Sequence, residues 1–565
     1  MFVVFEGIDG GGKTTLSNLV ASRLRDGGLR VAHVREGGKF ASAVTQSMRE
    51  LGRDARNLAL TPRAELMLYL TREVQLVDEA TRPAIASMDV VIADRYVFTA
   101  EVLAIYGRGL PAAQVEPLVR AAAADVQPDL VILVDVDPAI ARARRRVSKL
   151  LAPDDKPPSR KGLAGTALQQ RLRRGYRELA ARDPARWLVL DNTDADLEAT
   201  ADALVALVRA GGAASARGAL AGSTRDSMLR GGDHGQAREA LIAWVDRRAI
   251  REPGLAAYFL DGLWGDAIDD RRRALGLRVP AVIAAGLRSL DDSGSWELRR
   301  QLAMTAPDQV ARSLVGAPAL RDEASTLLRA LAPHASRGVA DALVGRDDEV
   351  AWELRAVLRA DHVMASLAGV PGARGWELRE RWLAARGGAA SLEVAAAALA
   401  AISVEGLADD RAWEVRKAVR TVAPVAALES TAGLADDRSW RWRERDLERA
   451  PKPVMKTIAA VDDPRAWAFR ERVVGRCEEA LDSIVGLDDP RAWAMRAVGA
   501  ELWPATVVKS LGPLAAEARG HALVAELLAR YPEDVALWRQ ATVQTSPAHP
   551  SSSPSSAMAL HTRNR

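Results

Sequence analysis

Over the first 210 residues, short apolar runs rich in β-branched side chains alternate with longer stretches whose apolar positions recur every three or four residues. The runs Phe2 to Glu6, Leu29 to Arg35, Asp89 to Asp94, Leu130 to Val136 and Trp187 to Asp191 predict five strands. Because they are apolar on both sides of the pleat, they belong in a parallel sheet covered by helices on its two faces, an α/β domain over residues 1–210. From residue 211 to 236 the periodicity stops and Gly, Ala, Ser and Arg dominate, the composition of a flexible linker. Strand patterns then vanish, and Ala, Leu and Arg at helical spacing predict an all-α region over 237–544. The last stretch, 545–565, is rich in Ser and Pro and is expected to be disordered.

The α region repeats. Trp-x-x-Arg recurs from Trp296/Arg299 to Trp493/Arg496, and Trp413, Trp440, Trp467 and Trp493 follow one another at 27, 27 and 26 residues. In Asp488-Asp489-Pro490-Arg491-Ala492-Trp493, Asp489 can cap the first amides of a helix and Pro490 suits its first position, so each unit reads as one helical hairpin. A hairpin of this size cannot bury its apolar face alone, so neighbours must stack into a solenoid. Trp and Arg three residues apart share a helix face. A guanidinium over the indole, or one bonded to the aspartate of the next unit, would then fix the register. The period resembles that of HEAT-like repeats, which implies a protein-binding surface.

At 565 residues the chain is too long for a single core. The 78 basic and 74 acidic side chains leave a net charge of +4, too little over this length to point to nucleic acid. A single cysteine, Cys477, excludes a disulfide framework and any multi-cysteine metal site, and fits a reducing, cytoplasmic setting. No stretch has the roughly 18 uninterrupted apolar residues that a membrane span needs. The apolar start runs straight into Glu6 and a glycine loop instead of a leader pattern.

The chemistry is concentrated in that loop. Gly7-Ile8-Asp9-Gly10-Gly11-Gly12-Lys13-Thr14 matches G-x-x-x-x-G-K-[ST], after a predicted strand and before a predicted helix that takes in Thr15. Glycines let amides turn inward around the phosphates of ATP, Lys13 brings a cation, and the Thr14 hydroxyl suits Mg2+. Asp94 and Arg95 end the third strand, where residues of a parallel sheet face the ligand crevice. Asp94 can help hold Mg2+, and Arg95 can meet the migrating phosphate.

The loop in its setting Phe5-Glu6-Gly7, with Arg35-Glu36-Gly37-Gly38, Asp94-Arg95-Tyr96, Tyr106-Gly107-Arg108-Gly109-Leu110, Asp135-Val136-Asp137-Pro138 and Gly175-Tyr176-Arg177-Glu178-Leu179, resembles the thymidylate kinases over residues 1 to about 210. The resemblance implies a P-loop kinase fold and transfer of the ATP γ-phosphate to dTMP. It implies Arg95 on the acceptor phosphate and Asp9 near the acceptor's sugar and phosphate. Tyr69 would lie against the base, with Arg49, Arg72 and Thr99 in the acceptor site. The basic stretch from Arg142 to Lys161 would form a mobile lid, with Arg144 and Arg146 over the phosphates, and the enzyme would pair as a homodimer. Glu73 stands where the family has a base-reading arginine, and Ala104 where it has a hydrogen-bonding side chain. Two classes of function follow: an enzyme with a helical interaction domain, and a nucleotide-gated switch whose working part is the solenoid.

Overall fold

The computed structural model describes residues 1–35, 42–152, 162–163, 165, 167–212, 234–288, 290–315, 322–459 and 461–545. They form two compact units. The first is built on five parallel strands, β1 (Phe2–Glu6), β2 (Val31–His33), β3 (Val90–Asp94), β4 (Leu130–Asp135) and β5 (Trp187–Asp191), in the order β2-β3-β1-β4-β5. Its helices are α1 (Lys13–Asp26), α2 (Ala43–Arg53), α3 (Pro62–Leu76), α4 (Arg82–Ser87), α5 (Val97–Val102), α6 (Ala112–Ala123), α7 (Pro138–Leu151), α8 (Ala167–Arg182) and α9 (Leu197–Arg209).

Alternation sorts the central strand. Val3 and Phe5 join Leu16, Val20 and Leu24 of α1, Ile92, Ile132 and Leu204 of α9 in one buried cluster. The pairing Phe5↔Asp94 and Glu6↔Leu133 brings the carboxyl ends of β1, β3 and β4 to one level, so the loop after β1 and the residues after β3 open on the same edge. Strand β2 is shorter than the predicted Leu29 to Arg35, because this edge strand has one neighbour and Arg35 leaves extended geometry with φ 152°.

The second unit is helical throughout its described residues. The helix His234–Arg251 starts inside the stretch read as linker, because the apolar spacing of Ala237, Leu241, Trp244 and Val245, all buried, continues toward its amino end. Residues 213–233 and 546–565, which carry the linker and tail expectations, lie outside the described residues. A longer helix bearing Trp-x-x-Arg is followed each time by a short one, as in Asp437–Asp446 and Pro451–Thr457. Aspartate side chains cap the long helices: Asp292, Asp348, Asp409, Asp436, Asp463 and Asp489 each accept a backbone N–H at the helix start.

Both expected roles of arginine occur, carried by different residues. The motif arginine lies over its own indole, as Arg443 does over Trp440 at 4.7 Å, but it bonds carbonyls instead of an aspartate. Arg443 donates to Leu434 O at 2.7 Å, Thr431 O at 2.8 Å and Thr457 Oγ1 at 3.0 Å. The arginine two residues before the next tryptophan reaches back: Arg465 also lies over the Trp440 ring, at 4.8 Å, and donates to Asp437 at 3.0 Å. Arg438 does the same with Trp413 and Asp410.

The short helices contact one another in sequence, and the series closes. Helix Val535–Thr545 packs on helix His234–Arg251. Arg539 donates to Asp261 O at 3.0 Å and to its carboxylate at 2.8 Å, across 278 residues of chain. Repeat period alone does not reveal this closure.

Candidate functional site

The loop between β1 and α1 owes its shape to glycine. Gly10 sits at φ 88°, and a Cβ there would lie 2.3 Å from the carbonyl oxygen of Ala141 on α7, so no side chain fits. The Asn192 amide, just past β5, donates to Gly11 O at 2.7 Å and braces the loop from the far side. Lys13 is 5% exposed, and its Nζ donates to Ile8 O at 2.6 Å, a bond across the loop. Burial, then Arg95, pull its pKa down to about 7, against Asp9, Asp94 and Glu6.

Across the crevice Thr14 Oγ1 donates to Asp94 Oδ2 at 2.5 Å, while Asp94 Oδ1 is buried without a hydrogen-bond partner among the described residues. Burial works to raise the Asp94 pKa, but Arg35, Lys13 and Arg95 outweigh it and hold the carboxylate below its usual range. Arg35 also donates to Asp94 O at 2.7 Å. A buried anionic oxygen with an unused lone pair beside a hydroxyl is a fitting pair of ligands for a hard divalent cation.

Arg95 stands in the left-handed region at φ 79°, a strain that persists only where surroundings fix it. Its guanidinium pairs with Asp9 and donates to Gly7 O at 3.0 Å, Thr99 Oγ1 at 3.1 Å and Tyr176 OH at 3.3 Å. Burial opposes its charge, yet Asp9, Tyr176 and Glu6 more than compensate and raise its pKa.

A second crevice is lined by Pro62, Glu65, Leu66, Tyr69, Ala100, Leu103, Ala104 and Arg108, joining α3 to α5. Arg72, one turn along α3 from Tyr69, lies over the Tyr69 ring at 4.7 Å and is ion-paired with Glu73, both buried. The arginine therefore covers the ring, and Glu73 answers its charge. Arg49 of α2 is near enough to Arg72 and Tyr69 to feel both, and its pKa is lowered by burial first and then by Arg53 and Arg72.

The structure thus gathers Lys13, Thr14, Asp94, Arg95, Asp9 and Thr99 into one network, and Tyr69, Arg72 and Arg49 into another. Arg144 of α7 donates to Asn192 O at 3.0 Å, and Arg146 lies partly exposed on the same helix. Ile8 is buried and Thr15 exposed. The lid residues Lys156, Arg160 and Lys161, with Glu36, Gly37 and Gly38, lie outside the described residues. Sequence reasoning gave no role to Glu6, Tyr176 or Asn192. Glu6, a charge at the end of an apolar strand, and Tyr176, inside a quoted motif, carried a signal, whereas Asn192 carried none.

Residues 5–203 match the family described as Thymidylate kinase. The chain is 37% identical over 195 residues to a thymidylate kinase of Trichlorobacter lovleyi, covering 34% of this chain and 90% of that protein. It is 39% identical over 192 residues to a thymidylate kinase of Solidesulfovibrio magneticus, again covering 34% of this chain and 90% of the other. A solved thymidylate kinase from Ehrlichia chaffeensis is 23% identical, covers 37% of this chain and 98% of its own, and has a TM-score of 0.28. On the strength of the sequence relatives, the chain belongs through residues 5–203 to the thymidylate kinase family.

Proposed function

We propose that the first unit is an ATP-dependent nucleoside-monophosphate kinase that moves the γ-phosphate of ATP to dTMP, giving dTDP and ADP. The observation that carries this reading is the meeting of Lys13, Thr14, Asp94 and Arg95 on one crevice at the carboxyl ends of β1 and β3. The backbone from Gly7 to Thr14 would cradle the phosphates of ATP, and Lys13 would exchange its bond to Ile8 for phosphate oxygens. Arg95 would face the acceptor phosphate, Asp9 its sugar side, and Tyr69 its base, with Arg49, Arg72 and Thr99 around them. Thr14 and Asp94 would hold Mg2+, to which the partnerless Asp94 Oδ1 is suited, and the ion would offset phosphate charge.

Phosphoryl transfer asks mainly for alignment and charge neutralisation. An acceptor phosphate oxygen attacks the γ-phosphorus, the bond to the bridging oxygen breaks, and ADP leaves with that electron pair. Arg95, Lys13 and the α7 cations Arg144 and Arg146 oppose the charge on the migrating group.

The second unit reads as HEAT-like hairpins closed on themselves, an interaction domain for a protein partner, and the kinase unit as one half of a homodimer in the cytoplasm. A nucleotide-gated switch draws on the buried Arg72–Glu73 pair and on Ala104, which change the base side while leaving the phosphate side whole. Incubating the full chain with ATP, Mg2+ and each nucleoside monophosphate in turn, and following ADP, decides between them. dTMP-dependent turnover abolished by Lys13→Ala supports the kinase; slow hydrolysis indifferent to every monophosphate supports the switch.

A further inference from the structure

Arg95 is held by two side chains to which the proposed reaction assigns nothing. Glu6 is fully buried at the end of β1, and both of its oxygens are engaged: Tyr96 N donates to one at 2.9 Å and Thr99 Oγ1 to the other at 2.8 Å. Tyr176 of α8 is 2% exposed, with its hydroxyl 3.0 Å from Thr99 Oγ1 and 3.3 Å from Arg95 Nη1. Counting protons fixes the direction of the chain. The single Thr99 hydroxyl proton goes to Glu6, so Thr99 accepts from Tyr176, and Tyr176 accepts from Arg95. The result is a one-way network in which the Arg95 guanidinium reaches Thr99 both directly, at 3.1 Å, and through Tyr176, and Thr99 donates on to the Glu6 carboxylate; bonds so linked polarise one another.

Glu6 acts on the backbone as well. By accepting the amide of Tyr96 it fixes the peptide just after Arg95, the residue strained at φ 79°, while Arg95 N itself donates to Phe5 O at 2.9 Å. Main chain and side chain of Arg95 are therefore secured from one buried carboxylate. We propose that Glu6 and Tyr176, acting through Thr99, are positioning residues that set the Arg95 guanidinium for phosphate transfer. This rests on the reading of Arg95 as the cation at the transferred group. A cation that is already aimed spends no reorganisation at the moment of transfer, so the network acts on turnover more than on substrate binding.

Steady-state kinetics of the full chain with ATP and dTMP test the proposal, using Tyr176→Phe, Arg95→Lys and the double variant, with thermal melting of each. Tyr176→Phe should lower kcat by about tenfold, the loss of roughly one good hydrogen bond, with both KM values within about twofold. In the Arg95→Lys background, which has no fork to aim, the same change should alter kcat by less than about twofold. Glu6→Gln, which keeps the shape of the side chain and removes its charge, should lower kcat by a similar factor with both KM values within about twofold; it carries the comparison should Tyr176→Phe fail to fold. Unchanged kcat in Tyr176→Phe, an equal factor in both backgrounds, or a lowered melting point with unaltered kcat overturns the positioning role. Full activity of Arg95→Lys removes the reading of Arg95 itself, and the proposal falls with it.

Discussion

Replacing Arg443 by methionine measures what the arginine ladder of the helical unit is worth. The side chain is fully buried, and methionine keeps most of its apolar length while removing every donor. Three carbonyls lose a charge-assisted bond, those of Thr431, Leu434 and Thr457, but each keeps a second donor in Leu434 N, Ser439 Oγ and Gly433 N respectively. Each lost bond therefore costs about 1–2 kcal/mol instead of the full penalty of an orphaned acceptor, and the contact with Trp440 adds roughly 1 kcal/mol. Against this stands relief from burying a charge. Burial outweighs the attraction of Asp436 and pulls the Arg443 pKa down to about 10, a penalty of roughly 3 kcal/mol. The net loss is about 1–4 kcal/mol, three charge-assisted bonds and an indole contact set against the relieved burial. All but Trp187 of the 14 tryptophans lie beyond residue 237, so urea unfolding followed by indole fluorescence reports chiefly on this unit. Arg445→Met, at an exposed position on the same helix, should shift the same transition by less than about 0.5 kcal/mol. Equal shifts for the two variants, or a loss below about 1 kcal/mol for Arg443→Met, would refute the view that these arginines hold the hairpins in register.

Three further outcomes are expected. Glu101 is buried, and desolvation, then Glu116, raise its pKa from 4.5 to about 7. The folded chain therefore binds more protons than the unfolded chain between those values, and this group lowers stability as pH rises from 4.5 through 7. Glu101→Gln should be more stable than the parent at pH 8 by on the order of 2–3 kcal/mol and indistinguishable near pH 4; a pH-independent difference would exclude Glu101 as the cause. Gly10→Ala should abolish ATP binding in calorimetry while leaving the circular dichroism of the helical unit unchanged, because its Cβ would strike the Ala141 carbonyl; retained affinity would show that the loop has room. Trp538→Ala, in the closing helix, should cost about 3–5 kcal/mol, and hydrogen exchange should quicken in His234–Arg251 as well as around residue 538; protection lost only near 538 would mean the two ends are independent.

The strands were legible because burial on both faces leaves them few polar positions: Phe2–Glu6 and Trp187–Asp191 coincide with their predicted ranges, β3 and β4 each fall one residue short, and the edge strand β2 loses four. The phosphate loop was legible because few residues besides glycine can adopt its backbone, which Gly10 and Gly12 bear out with φ of 88° and 93°. The partners of Arg95 were not, since Glu6, Thr99 and Tyr176 are up to about 170 residues apart and meet only when α8 packs beside the sheet. Spacing puts Glu73 at the family's arginine position and leaves Arg72 one residue early. Spacing does not say that its neighbour Glu73 would pair with it and lay it on Tyr69. The helical units were readable one by one from Trp-x-x-Arg, but whether a series of them stays open depends on a small rotation per unit that no residue spells out.

The bond between Arg539 and Asp261 has a consequence for how the protein is made. Synthesis proceeds from the amino end, so the hairpins emerge and dock in order, each completing the one before. The surface of His234–Arg251, by contrast, must wait until Val535–Thr545, the helix that covers it, has left the ribosome. During that interval the nascent array presents an apolar flank at either terminus. Any premature stop before Val535 leaves both flanks bare, which marks truncated products for aggregation or degradation even when the nucleotide-binding unit has folded correctly.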